Sequence, residues 1–376
     1  MSFVNYSFTD QEISYFTCII FTILIYFDVM KKKNLSGLTI SQLQELMEEL
    51  GQPRYRSEQL FNWIYKRRIS SFDEMSNFPK SVRSHISEIA TIGSLSIKDV
   101  RTSAGEDSSK FLFELDDGLC VESVFMQDGK RITACLSSQV GCALNCDFCA
   151  TAKMGFKRNL TCAEIVDQLL TIQRHRATDV TNVVLMGMGE PFMNYDNVLT
   201  ACDLISHDKG IAIGKRKITI STSGIIPAIT RFTDEKRKYK LAISLNASND
   251  LVRDRLMPVN RKYPIKELIN AAKYYTERSN QRITFEYVLI KNVNDTEEDA
   301  ARLKSLFREL KCKLNIIPYN PVNGMYESPS EATINAFIKP FLDMNIVVSV
   351  RRSKGTEIDA ACGQLYSKTL ERSIQE

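Results

Sequence analysis

The sequence carries no large surplus of either charge: 49 Lys and Arg stand against 45 Asp and Glu, a formal +4. So mild a total singles out no partner by itself. There is no internal repeat and no low-complexity linker to divide the chain. The apolar run Tyr15–Phe27 falls short of the ~20 residues that a spanning helix needs. It also lacks the positive leading region of a secretory signal, because Asp10 and Glu12 precede it and the lysines follow. Without such a signal, ten cysteines do not read as a disulfide scaffold. They read as reduced thiols or metal ligands in a cytosolic setting.

What is present is a chain of 376 residues, 44% apolar and 25% charged, long enough for one large α/β domain and a smaller one. Residues 1–30 read as an apolar extension, non-native or dispensable, since Met30 opens Met-Lys-Lys-Lys like an ordinary start; a weak membrane anchor is the alternative. Residues 31–97 have helical periodicity. Thr39 with Gln42 forms a capping-box pair, Leu43, Leu46, Met47 and Leu50 make one stripe, and Gly51 stops the helix. A second helix is expected from Ser57, burying Leu60, Phe61 and Ile64, with the sole tryptophan, Trp63, nearby. Residues 98–130 alternate like a β-hairpin with Asp117-Gly118 as its turn.

From residue 131 to 376 strand-like runs alternate with amphipathic segments: Ile132–Leu136, Val180–Met186, Lys217–Thr222, Lys240–Leu245, Arg282–Ile290, Lys313–Pro318 and Ile346–Arg351. Thr161 with Glu164 and Thr296 with Asp299 cap two of the intervening helices. Regular β-then-α order implies a parallel sheet with right-handed crossovers, open or closed into a barrel. Chemistry in such folds sits at the carboxyl ends of the strands.

Cys142, Cys146 and Cys149 follow the first of these strands with Cys-x3-Cys-x2-Cys spacing. Three thiolates on one short loop can hold three corners of an iron–sulfur cube and leave the fourth iron open. The alternatives are a structural zinc site with a fourth ligand from elsewhere, or three core thiols. Zinc loops favour paired Cys-x2-Cys units, which puts the iron–sulfur reading first. The next strands end in Gly187-Met-Gly-Glu190, Ser221-Thr-Ser-Gly224, Ser244-Leu-Asn246 and, later, Asn320. Each is a weak signal alone, because such residues are ordinary in turns. Together they place polar groups on one rim, where glycines admit a ligand close to the backbone and Glu190 can accept from an amino group.

A Cys-x3-Cys-x2-Cys loop after the first strand with Gly-Glu after the second resembles the radical S-adenosylmethionine (SAM) superfamily. More narrowly, Cys135-Leu-Ser-Ser-Gln-Val-Gly-Cys142, Met186-Gly-Met-Gly-Glu-Pro191, Ser221–Gly224 and Asp359-Ala-Ala-Cys-Gly-Gln-Leu365 resemble the RlmN family of bacterial adenine-C2 RNA methyltransferases. The resemblance covers roughly residues 38–366. It implies an α/β fold, a partial (βα)6 TIM-like barrel with a small N-terminal helical domain. It makes Cys142, Cys146 and Cys149 the ligands of a [4Fe–4S] cluster. Gly189, Glu190, Ser221, Ser244, Leu245, Asn246 and Asn320 would bind SAM, with two molecules used per turnover. Cys362 would carry the methyl group, Cys135 would be its disulfide partner, and Glu122 a proton acceptor. One departure stands out: the family reads Ser-Leu-His where this chain has Ser244-Leu245-Asn246, and Asn can still donate and accept.

The implied product is 2-methyladenosine in 23S rRNA and in tRNA beside the anticodon. Adenine C2 lies between two ring nitrogens and is electron-poor, so it does not attack the methyl of SAM as a nucleophile. The implied route is therefore a carbon radical on the Cys362 methyl adding to the ring. C8 methylation of rRNA, of the antibiotic-resistance type, and a non-catalytic metal-stabilised RNA-binding protein are the alternative functions. An electron donor such as a flavodoxin is the expected partner besides RNA, with no stable membrane partner, a monomer, and a cytoplasmic location. No RRM or KH signature is present. RNA contact is assigned to the helical module, residues 31–97, as an RNA-binding accessory domain, and to the basic runs around Arg54, Arg56, Lys66 and Lys215. Lys31–Lys33, Arg67 and Arg68 beside Lys66, and Arg231–Lys240 add to a phosphate-facing surface.

Overall fold

A computed structural model describes residues 32–321, 324, 326–352, 355 and 358–365. The expected extension over 1–30 lies outside the described residues. The first helix, α1 (Ile40–Glu49), begins at the Thr39–Gln42 capping box and buries Leu43, Leu46 and Met47. The second, α2 (Tyr55–Phe61), starts two residues before Ser57 and runs without a break into a π-helical turn over Asn62–Lys66. Leu60, Phe61, Ile64 and Tyr65 are wholly buried. With α3 (Lys80–Ile89) these helices form a small module, closed at its base by parallel pairing of Lys33–Asn34 with Ala90–Thr91.

Ten strands make one sheet. The strands β1 (Ser96–Thr102), β2 (Ser108–Glu114) and β3 (Cys120–Asp128) form an antiparallel meander. The expected turn at Asp117-Gly118 joins β2 to β3, with Gly118 N–H donating to the Leu115 carbonyl at 2.9 Å. Antiparallel to β3 runs β4 (Arg131–Cys135). From β4 every neighbour is parallel: β5 (Asn182–Leu185), β6 (Ile218–Thr222), β7 (Lys240–Ser244), β8 (Ile283–Leu289), β9 (Cys312–Pro318) and β10 (Val347–Val350). Spatial order follows chain order throughout, and among the described residues β1 and β10 remain the two ends of an open sheet.

The helices α4 (Cys162–Arg176), α5 (Tyr195–Ile205), α6 (Ile226–Asp234), α7 (Ile265–Ser279), α8 (Glu297–Phe307) and α9 (Glu331–Ile338) alternate with β4–β10. This is the α/β architecture expected, because strands read as continuous apolar runs and the helices bury one stripe each. The caps act where the sequence placed them: Thr161 and Glu164 close the start of α4, Thr296 and Asp299 that of α8. Among the described residues no helix is long and apolar enough to cross a membrane.

The helical module is fused to α4. A Cβ on Gly37 would lie 2.7 Å from the backbone nitrogen of Ala163, so only glycine permits this approach. Tyr65 donates to the carbonyls of Ser36 (2.9 Å) and Leu38 (2.8 Å). The buried Asp167 of α4 accepts from Asn34 Nδ2 (2.9 Å) and Ser94 N–H (3.0 Å). These bonds fix where the module's outer face stands relative to the sheet.

Candidate active site

The loop after β4 is built on the loop after β5. Ser137 Oγ donates to the Glu122 carbonyl (2.5 Å) and accepts from Met188 N–H (2.8 Å), while Gln139 Oε1 accepts from Glu190 N–H (2.8 Å). Gly189 has φ +96°, and a Cβ there would stand 2.5 Å from the Gln139 Cβ. The glycine expected to admit a ligand is therefore also demanded by the chain's own backbone. Glu190 is 2% exposed. Its carboxylate accepts from Phe192 N–H (3.0 Å) and Ser223 N–H (2.7 Å), binding the β5 rim to the β6 rim. Burial pushes its pKa up, against these donors.

One cavity of about 180 Å³ lies at the carboxyl ends of the strands. Its walls include Cys142, Cys146 and Cys149, Cys135, Cys362, Gly189, Glu190, Ser221, Ser244, Asn246 and Asn320. Residues far apart in sequence thus meet in one space. Cys135 ends β4, and Cys362 reaches the site because its loop is stitched by three bonds to two other segments. Ala150 N–H donates to Gly363 O (2.8 Å), Asn320 Nδ2 to Cys362 O (3.2 Å), and Thr151 Oγ1 to Leu365 O (2.7 Å).

Two expected site residues stand off the cavity wall. Leu245 is fully buried behind it. Glu122 sits on β3 on the same face as Val124 and Met126, which do line the cavity. Its carboxylate pairs with Lys110 Nζ at 3.1 Å, and both side chains are almost wholly buried. Lys110 also donates to the Asp359 carbonyl (3.2 Å), so the pair supports the Cys362 loop from beneath.

Asn246 occupies the place of the family's usual His with φ +55°, a region Asn tolerates better than most residues. Its Oδ1 accepts from Val288 N–H at 2.8 Å, and Asn294 Nδ2 donates to its carbonyl at 2.8 Å. The amide is thereby part of the wall's own scaffold.

Three groups at the site were not foreseen. Arg253 is fully buried and gathers strand ends: it donates to the carbonyls of Leu245 (3.0 Å), Ser223 (2.7 Å) and Ser244 (3.2 Å), and to Asn260 Oδ1 (2.9 Å). Burial lowers its pKa to about 10, so it stays charged at neutral pH. Glu286 on β8 and Arg351 after β10 both line the cavity. Ser221 Oγ donates to Glu286 at 3.3 Å. Burial pushes the Cys362 thiol up; the Arg351 guanidinium draws it back down and Glu286 adds to the rise. Burial pushes Cys135 up to about 12. No local motif announces these residues, because their partners are carbonyls and thiols distant in sequence.

Replacing Arg253 by Met keeps the stem and removes the fork, leaving several buried carbonyls without a donor. The expected loss is about 3–5 kcal/mol, or a fall in thermal midpoint of about 4–6 °C for a chain of this length. Arg253→Lys should recover only part, since one ammonium cannot serve three carbonyl directions. A melting curve for Arg253→Met within a degree or so of the parent would refute this role.

The donor set fits an iron–sulfur cluster. Cys142, Cys146 and Cys149 are free thiols of one loop facing one cavity. Among the described residues no three His, Cys, Asp or Glu side chains converge as a single-ion site requires. Ligands to separate corners of a cube need no such convergence. Polar groups of Ser221, Asn320 and Ser244 on the same walls suit a zwitterionic cosubstrate beside the open corner.

The radical SAM superfamily matches residues 136–303, and the ribosomal RNA large subunit methyltransferase N-terminal domain matches residues 33–92. A curated relative from Thermotoga neapolitana, described as a probable dual-specificity RNA methyltransferase RlmN, is 43% identical over 89% of this chain and 98% of its own length. A second from Pelobacter propionicus, described as a dual-specificity RNA methyltransferase RlmN, is 42% identical over 90% of this chain and 97% of its own. The crystal structure of a radical SAM methyltransferase from Sphaerobacter thermophilus superposes with a TM-score of 0.86 at 41% identity, covering 89% of this chain and 99% of that one.

Proposed function

Because the chain belongs to the RlmN family of radical SAM RNA methyltransferases, we propose that its cavity methylates C2 of an adenosine in 23S rRNA at the peptidyl transferase centre and in tRNA next to the anticodon. The observation that carries this reading is that Cys135 and Cys362 line the same cavity as the three loop thiols. When bound at the Cys142–Cys149 loop, a [4Fe–4S] cluster with two molecules of SAM per turnover supplies an electron, a methyl group and a radical.

The chain's own residues then have separable tasks. Cys362 holds the methyl-derived carbon as a thioether, so that the adenine becomes joined to the protein through it. Arg351 and Glu286 set the charge around that sulfur. Glu122, held by Lys110 just behind the wall, is assigned the ring proton from C2, and the odd electron left on the ring would return to the cluster, so that a closed-shell thioether remains. The Cys135 thiolate attacks the Cys362 sulfur, an S–S bond forms, and the carbon–sulfur bond to the product breaks. The electron pair stays with the carbon, which takes a proton to become the methyl group. A reductant of thiol class resets the disulfide, and a flavodoxin-like donor serves the cluster. On this reading the chain works as a cytoplasmic monomer. Relatives described as dual-specificity RlmN favour C2 over the C8 alternative. Five thiols around one buried space favour an enzyme over a metal-stabilised binding module.

The test is mass spectrometry of rRNA and tRNA from cells lacking this protein. Loss of 2-methyladenosine, restored by the wild-type chain and not by Cys362→Ala, is the expected result. Undiminished 2-methyladenosine, or a loss of 8-methyladenosine instead, would displace the proposal.

A further inference from the structure

We propose that a cleft on the helical module, away from the catalytic cavity, takes an unpaired nucleotide of the RNA substrate by stacking its base between aromatic and guanidinium planes. The cleft has a volume of about 500 Å³ and is lined by Tyr55, Gln59, Asn62, Trp63, Arg67 and Asn77, among others. Positions 55, 59, 62 and 63 recur at helical spacing, so α2 and its π-helical continuation present one face to this space. The π-helical turn is closed by Arg67 N–H donating to Asn62 O, five residues back, at 3.0 Å. Such turns recur at functional sites.

The chemistry of the lining is that of nucleotide recognition. Tyr55 is 57% exposed, an unusual place for a large ring. The Arg67 guanidinium lies 4.7 Å from the centroid of the Trp63 ring, which presents an outward planar cation. Bases stack on both kinds of surface. Trp63 Nε1 is already engaged by Asn77 Oδ1 at 2.6 Å, which fixes the indole plane. Among the described residues the Asn62 amide makes no side-chain hydrogen bond, and it can read a base edge. The carboxylate at the cleft, Glu58, is taken up by Lys209 at 2.8 Å and does not repel a phosphate.

Charge separates this face from the other basic runs. Among the described residues Arg54, Arg56, Lys66 and Arg67 have no carboxylate within 4.0 Å. On the far side, Arg231 pairs with Asp196 (2.5 Å) and Glu235 (2.8 Å), and Arg237 with Glu235 (2.7 Å) and Asp203 (3.0 Å). Lys215 stands 3.7 Å from Asp203. The expectation that residues 215–240 face phosphate is thereby corrected for these three side chains, since their charge is met within the protein. Within the module Arg68 pairs with Asp179 and Arg83 approaches Asp73, which leaves Arg54, Arg56, Lys66 and Arg67 as cations that keep their charge for a ligand.

The inference rests on the proposed RNA substrate, and the experiment separates the two. Trp63 is the sole tryptophan, so its emission reports this cleft alone. Cluster-loaded enzyme is titrated anaerobically with a tRNA transcript and with a short oligoadenylate, following emission and, separately, filter binding. Saturable quenching that tracks binding is expected. Tyr55→Ala and Arg67→Ala should each weaken binding about tenfold, Arg67→Lys should recover little for want of a plane, and Arg231→Ala should change nothing. RNA that is bound and methylated with unaltered Trp63 emission, and with full affinity for Tyr55→Ala and Arg67→Ala, overturns the cleft and leaves the enzyme reading intact. Enzyme that neither binds nor methylates RNA overturns both.

Discussion

Changing Cys135 to Ala should leave the protein covalently attached to its RNA. Cys135 and Cys362 both line the cavity, and in the mechanism proposed above a second sulfur opens the thioether at Cys362 by forming an S–S bond. Remove that sulfur and every step before release remains available, so product accumulates as a protein–RNA species stable on a denaturing gel. Near-stoichiometric adduct is expected after one turnover, with multiple turnover reduced at least about a thousandfold. Cys362→Ala should give the same loss of turnover and no adduct, because the attachment point is gone. Burial pushes the Cys135 pKa up to about 12, so below that value its thiolate fraction rises with pH. Release in the wild type should accelerate about tenfold per pH unit until another step limits the rate. A Cys135→Ala enzyme that turns over normally and forms no adduct would remove this residue from the reaction.

Colour is the second large effect. Anaerobically purified wild-type protein should be brown and hold about four irons and four sulfides per chain, as a [4Fe–4S] centre requires. Cys146 is the most enclosed of the three loop thiols, at 9% exposure, with Leu256 and Met257 packed beside it. Cys146→Ala should strip the visible absorbance and bring iron close to zero while the thermal midpoint of the fold survives. Metal analysis and absorption spectra check this without any activity assay. Colourless wild-type protein carrying one zinc per chain would instead support the binding-module reading.

Some of this molecule was readable in its sequence for a clear physical reason: the signals were local. Capping boxes at Thr39, Thr161 and Thr296 act within one turn, and each is formed. The Cys142–Cys149 spacing lies on one loop. Strands β4–β9 announced themselves as short apolar runs because most of their residues are covered, while β10 at the edge stays partly exposed. What escaped depends on partners remote in the chain. Arg253 looks like a surface helix residue until its carbonyl acceptors from two strand ends are seen. Arg351 and Glu286 acquire meaning only when the sheet brings them to Cys362. Arg231 and Arg237 advertised a phosphate face, and Asp196, Asp203 and Glu235 cancel it across more than one helix. The π-helical turn at Asn62–Lys66 has no propensity signature at all.

The β10 edge of the sheet curls back toward β3, with no strand pairing between them among the described residues: Arg351, just beyond β10, places Nη2 3.9 Å from the sulfur of Met126 on β3. A ring left unfinished in this way has a seam. A nucleotide in the middle of a polymer cannot be threaded endwise into a sealed mouth, because strand continues from both its sides. Through a seam it can be laid in sideways, its sugar–phosphate neighbours staying outside while the base alone goes under cover.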